Sequence, residues 1–216
     1  RQLWDCAKNK LDNVDFPKFL CNVFIQHKRP EYIASRLGKE YSYWKKKYFR
    51  YNINVQQRDI LIRLEQRISK NSIVVYACPA FSKLEELWYS RERSTLVENS
   101  NFVKPHILLN HQRYTFVNGG KEGQAFSEPT HTEGIELLTE INRIREEGLK
   151  FKTNTEFIDA LAHAIRETME TSEVAFKETY FSIIERIGLP DHALARNLTE
   201  IFTFVFLTNI AWTIGF

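Results

Sequence analysis

Apolar and polar positions alternate in blocks along this chain, and their spacing predicts a succession of strands and helices. Residues 3–7, Leu3-Trp4-Asp5-Cys6-Ala7, have the length of a short strand, and a polar turn follows through Asn9, Asp12, Asn13 and Asp15. Residues 19–28, opening with the apolar run Phe19-Leu20-Cys21-Asn22-Val23-Phe24-Ile25, predict a second, buried strand, paired with the first as an antiparallel hairpin. Residues 31–43 follow Pro30 and are expected to be helical, because proline suits the entry of a helix. Over residues 55–69, Val55, Ile60, Leu61, Leu64 and Ile68 share one helical face, with Arg58, Arg63 and Arg67 elsewhere on the surface. Ile73-Val74-Val75-Tyr76-Ala77-Cys78, closed by Pro79, predicts a strand. Residues 81–91 return to a helical period through Phe81, Leu84, Leu87 and Trp88. Residues 103–109 and 114–117 are expected to add irregular or edge strands.

Asn118-Gly119-Gly120 and Lys121-Glu122-Gly123 read as a flexible, turn-rich link. From Gly134 the period is helical. Three apolar stripes follow: one through Ile135, Leu138, Ile141 and Ile144, one through Phe157, Leu161, Ala164, Ile165 and Met169, and one through Phe176, Tyr180, Ile183, Ile184 and Ile187. A last helix is expected from about Asp191 towards the C-terminus. The succession predicts an α/β (α+β) fold. A mixed sheet flanked by helices fills residues 1–117, a link spans 118–133, and a helical region over 134–216 packs on the core. A chain of 216 residues is long enough for that arrangement.

The formal net charge is only +3, but it is unevenly spread. Between Lys28 and Lys70, twelve Lys and Arg residues face four acids (Glu31, Glu40, Asp59 and Glu65), so this segment carries about eight positive charges and the remainder is net negative. Such a concentration points to a polyanionic partner. Three widely spaced cysteines, Cys6, Cys21 and Cys78, form no CxxC pair, which argues against structural zinc and a disulfide framework and for a reducing, cytoplasmic setting. Residues 201–216 are strongly apolar but shorter than the ~20 residues of a membrane span and interrupted by Thr203, Thr208, Asn209 and Thr213, so no membrane association is expected.

The candidate chemistry lies where the second strand ends. Alternate side chains of a strand share a face, so Gln26 and Lys28 point one way and His27 the other. Downstream, Lys45-Lys46-Lys47-Tyr48-Phe49-Arg50-Tyr51 interleaves cations with aromatics, a pattern suited to phosphate contacts with stacking. It reads equally well as core aromatics beside solvated lysines. Gln56 and Gln57 open the next helix. His106, His111 and His131 match no zinc spacing.

Residues 3 to about 81 resemble the PD-(D/E)xK, or restriction-endonuclease-like, nuclease superfamily. The resemblance rests on Leu3-Trp4-Asp5-Cys6-Ala7, on Phe24-Ile25-Gln26-His27-Lys28-Arg29-Pro30, and on Val74-Val75-Tyr76-Ala77-Cys78-Pro79-Ala80-Phe81. The last two phrases are similar to those of uncharacterised microbial proteins of this kind, with defence as the implied setting. The resemblance implies a metal-dependent endonuclease, a hydrolase acting on DNA. Asp5, the Gln26 side chain and the His27 backbone carbonyl would hold Mg²⁺ or Mn²⁺, Lys28 would assist water attack, and Asp5, Gln26 and Lys28 would form the catalytic set. Arg29, Lys45, Lys46, Lys47 and Arg50 would hold the DNA, with Gln57 in support. Hard divalent cations prefer oxygen ligands and generate a nucleophilic water, which is why such residues belong together. Gln26 departs from the usual acid and adds no negative charge. The alternative is a non-catalytic nucleic-acid-binding or protein-assembly module with a degraded nuclease site. The helical region is the candidate surface for a homodimer or protein partner.

Overall fold

The structure, a computed structural model, describes residues 2–12, 17–68 and 70–215. Asn13 and Asp15 of the expected turn lie outside the described residues, as does Ser69 at the end of the second helix expected from the sequence. In chain order the elements are α1 (Gln2–Asp12), β1 (Cys21–His27), β2 (Glu31–Ile33), α2 (Tyr41–Trp44), β3 (Tyr48–Asn52), α3 (Val55–Ile68), β4 (Ser72–Pro79), α4 (Leu84–Glu92) and β5 (Ser100–Val103). There follow a 3-10 turn (Pro105–Leu108), β6 (Arg113–Phe116), β7 (Glu122–Phe126), β8 (Thr130–Glu133), α5 (Leu137–Glu147), α6 (Asn154–Glu170), α7 (Val174–Ile187), α8 (Ala193–Thr208) and β9 (Ala211–Gly215).

The fold is α+β, with two sheets and a C-terminal helical region. One sheet has the strand order β5-β4-β1-β9 and the other β2-β3-β6-β7-β8. The first is mixed. Asn22 N donates to Asn71 O and Lys28 N to Ala77 O, so both chains advance together and β1 runs parallel to β4. The register Tyr76↔Val103 to Pro79↔Ser100 is antiparallel. All the described pairings of the second sheet are antiparallel.

Contacts divide the chain into two compact units. One holds Arg1–Phe24, Asp59–Ile73 and Ile141–Phe216; the other holds Ile25–Arg58 and Val74–Glu140. The chain therefore passes from one unit to the other at residues 24/25, 58/59, 73/74 and 140/141.

In the first unit, α6 packs on α8, and Phe24 lies 6.4 Å from Phe204 and stacks 6.5 Å from Trp212. Burying a ring of this size contributes about 2–3 kcal/mol. Thr153 caps α6, its side chain accepting from Glu156 N at 3.1 Å. Thr153→Ala is expected to cost about 1 kcal/mol in chemical denaturation, against a negligible effect for Thr153→Ser. Arg166 pairs with buried Glu200 at 2.6 Å between α6 and α8.

The second unit buries Tyr51, Tyr76, Tyr114 and Phe116 together, with Tyr114 5.4 Å from Tyr51 and 6.2 Å from Phe116. Its most heavily charged interior contact centres on Glu40, 1 % exposed. One Glu40 oxygen accepts from the Tyr48 hydroxyl at 2.9 Å and from Arg50 Nη1 at 3.3 Å. The other accepts from Arg113 Nε at 2.9 Å. Gly123 of β7 crosses directly over Tyr114, where an added Cβ would overlap the phenol oxygen and Cζ.

Several expectations require correction. Residues 3–7 belong to helix α1, so they form no hairpin with β1. Asp5 in the first turn and Lys10 in the last turn complement the helix dipole. Residues 31–43 contain strand β2, paired with β3 through Tyr32↔Phe49, and helix only from Tyr41. Inter-strand pairing there outweighs a local preference that a three-residue strand cannot announce. The expected link over 118–133 forms β7 and β8, a ladder from Glu122↔Glu133 to Ala125↔Thr130. The last helix stops at Thr208, where Asn209 adopts the left-handed conformation (φ 49°), and β9 follows. Among the described residues no helix is long and apolar enough to cross a membrane.

Candidate functional site

Strand β1 carries its chemistry at its carboxyl end. Gln26 is 4 % exposed, His27 is exposed and Lys28 is half-buried, as the alternation of a strand requires. Main-chain contacts fix the segment: Lys28 N donates to Ala77 O at 2.9 Å, and Cys78 Sγ donates to Lys28 O at 3.2 Å. All three cysteines are free.

Helix α3 supplies the third member. Asn54 Oδ1 accepts from Gln57 N at 3.0 Å at the helix entry, and it is the Gln57 side chain, not exposed Gln56, that reaches β1. Lys28 Nζ donates to Gln57 Oε1 at 3.3 Å, and Gln57 Nε2 donates to Gln26 Oε1. An ammonium can only donate, so the polarity of the Gln57 amide follows from Lys28. Gln26 Nε2 in turn donates to His27 O at 3.3 Å. Lys28 Nζ also stands 5.1 Å from the centroid of the Tyr76 ring. Among the described residues no carboxylate pairs with Lys28. Burial lowers its pKa, with a smaller opposing influence from Cys78.

Next to this cluster is a cleft of about 540 Å³ at the carboxyl ends of the parallel strands β1 and β4, the usual position of ligands on such strands. His27, Lys28 and Arg29 line one side; Phe81, Lys83 and Leu87 line the other. Among the described residues no Asp or Glu lines it. The neighbouring acid, Glu86, is taken up by the start of α4. Its Oε2 accepts from Ser82 N at 2.8 Å and Lys83 N at 3.2 Å, and the Ser82 backbone bond leads the causes that lower its pKa.

The other expected site residues are placed differently. Asp5 lies on α1, exposed, with its Oδ1 3.3 Å from His192 Nε2. It is therefore a helix residue of the first unit and not a strand neighbour of Gln26. Arg50 is committed to Glu31 at 2.7 Å and Glu40 at 3.3 Å. Lys45, Lys46 and Lys47 are exposed, but Tyr48 and Phe49 are buried and Trp44 Nε1 donates to Thr115 Oγ1 at 2.9 Å, so those aromatics serve the core. Lys83 and Phe81 were not among the expected site residues, although Phe81 ends one of the phrases that carry the family resemblance. The available signal was a cation and an aromatic placed between Pro79, which ends a parallel strand, and the helix that follows.

Mg²⁺ or Mn²⁺ does not fit this donor set as it is arranged. Gln26 Oε1 and His27 O, the two oxygens assigned to the metal from this strand, are neutral and each already accepts one hydrogen bond, and among the described residues no carboxylate lines the adjoining cleft to join them. Among the described residues no group of three His, Cys, Asp or Glu side chains converges to hold a metal ion. Comparison with protein-family models, with curated proteins and with solved structures gives no match.

Proposed function

We propose that the chain is a nucleic-acid-binding module with a restriction-endonuclease-like strand end, in which Lys28, Arg29 and Lys83 receive backbone phosphates. The supporting observation is the cleft beside β1 and β4, lined by these three cations and His27 and, among the described residues, by no acid. A half-buried ammonium held by a neutral amide and facing an aromatic ring leaves unused attraction for an anion, and a phosphate entering the cleft meets it in a low-dielectric setting. Gln57 fixes the direction of Lys28 through their 3.3 Å hydrogen bond. Binding of this kind releases counterions and weakens steeply with salt.

The test is fluorescence anisotropy of the full chain with a labelled oligonucleotide of about 20 nucleotides between 50 and 200 mM salt. Affinity should fall linearly on logarithmic axes, and Lys28→Ala and Lys83→Ala should each reduce the slope by about one. Salt-independent binding, or slopes unchanged in both variants, would sink the reading. A metal-dependent deoxyribonuclease is the second reading, favoured by the convergence of Gln26, Lys28 and Gln57. Plasmid nicking in Mg²⁺ or Mn²⁺ that disappears in Lys28→Ala would select it.

A further inference from the structure

The face of α4 that closes the cleft extends beyond it. Leu84 and Leu87 line the cleft, and residues three, four and seven apart on a helix share a face. The same stripe therefore continues through Trp88 to Arg91. Trp88 is 48 % exposed, and the Arg91 guanidinium carbon stands 5.3 Å from its ring centroid. Glu85 and Glu92 stand three residues before and four residues after Trp88, so they border the stripe on one side of the ring, while Leu84, Leu87 and Arg91 occupy the other. Phe81 stands at the inner end of the same wall, half-buried and open to the cleft.

We propose that this cleft takes single-stranded nucleic acid, with unpaired bases stacking on Phe81 and Trp88 while successive phosphates meet Lys28, Arg29 and Lys83. The inference rests on the nucleic-acid reading above and adds the class of strand. Aromatic platforms beside a cationic groove are selective for unpaired strands, because a base in a duplex has both its faces covered by its neighbours. Arg91 extends the Trp88 platform with a planar cation that a base or a phosphate can approach. A duplex would use the cations but gain nothing from an exposed indole at this position.

The experiment compares four ligands on the full chain by anisotropy at one salt concentration: a single strand, its duplex, a strand of the same length built from abasic units, and heparin. The single strand is expected to bind about tenfold more tightly than the duplex or the abasic strand. Trp88→Ala should lose about tenfold for the single strand alone, and Trp88→Phe should restore most of the loss. Tryptophan fluorescence should be quenched by the single strand in wild type and far less in Trp88→Ala. Trp88 is half-exposed, and circular dichroism checks that the variant is folded; Phe81→Leu supplies an independent second variant. If the duplex binds as tightly as the single strand, or Trp88→Ala and Phe81→Leu leave single-strand affinity unchanged while Lys28→Ala weakens every ligand, the strand assignment falls and the phosphate-binding reading survives. If none of the four ligands binds, both fall.

Discussion

Replacing Glu40 with alanine is expected to lower the unfolding free energy by about 3 kcal/mol, because it strands the buried Tyr48 hydroxyl and the Arg113 guanidinium and takes from Arg50 one of its two acids. The Glu40 side chain is 2 % exposed and its partners Arg50 and Arg113 are 20 % and 30 % exposed, so water replaces little of what is lost. Glu31 is the control. It also pairs with Arg50, at 2.7 Å, but its side chain is 61 % exposed, and Glu31→Ala should cost no more than about 0.5 kcal/mol. Urea denaturation of the two variants checks the contrast, and comparable losses would refute it. Acid provides a second measurement. Burial by itself would raise the Glu40 pKa; the Tyr48 hydroxyl and the Arg113 and Arg50 guanidiniums outweigh it and hold the pKa below its ordinary value. A carboxyl depressed in the folded state contributes fully above the unfolded value of about 4.3 and loses that contribution as pH falls through the folded value. Stability should therefore fall more steeply below about pH 4 in wild type than in Glu40→Gln, which cannot titrate there.

Gly123→Ala should cost about 3 kcal/mol, at the upper end of what overpacking does, and lower the melting temperature by roughly 6–12 °C. The added methyl has nowhere to go. Tyr114 beneath it is 0 % exposed and held between Tyr51 and Phe116, and its ring is rigid. Gly215→Ala provides the comparison, since a Cβ there meets Cys21 Cβ at 3.5 Å, an ordinary contact, and should change stability by less than about 1 kcal/mol. Equal melting temperatures for the two alanine variants would show that β7 can lift away from Tyr114.

What the sequence disclosed depended on length and period. Helix α3 and strand β4 were legible because each is a long, regular run whose apolar face alone decides its conformation. The stripes of α6 and α7 were legible for the same reason, and Gly188 stands at the C-cap of α7. Strands β2, β7, β8 and β9 are three to five residues long, and β2, β7 and β8 carry polar or exposed residues. Their existence is a property of the strand they pair with, which no local window contains. The strand-end chemistry was legible at Gln26 and Lys28 through alternation, and at Gln57 through family resemblance. Asp5 was misplaced because five residues of mixed character suit a strand or a helical turn equally. Lys83 was missed because its importance depends on β1 and β4 being parallel neighbours, so that both carboxyl ends open on one cleft.

The four passages of the chain between its two units bear on how the protein can be taken apart. Neither unit is a continuous stretch, so no single truncation or proteolytic cut releases the one that carries the cleft. A minimal version of that unit would have to join residues 25–58 to 74–140 directly, replacing most of α3 with a short linker while keeping the helix's opening turn and Gln57. A nonsense or frameshift lesion anywhere before residue 141 removes part of both units at once, so a C-terminal truncation leaves the cleft-bearing unit whole only when it begins at residue 141 or later.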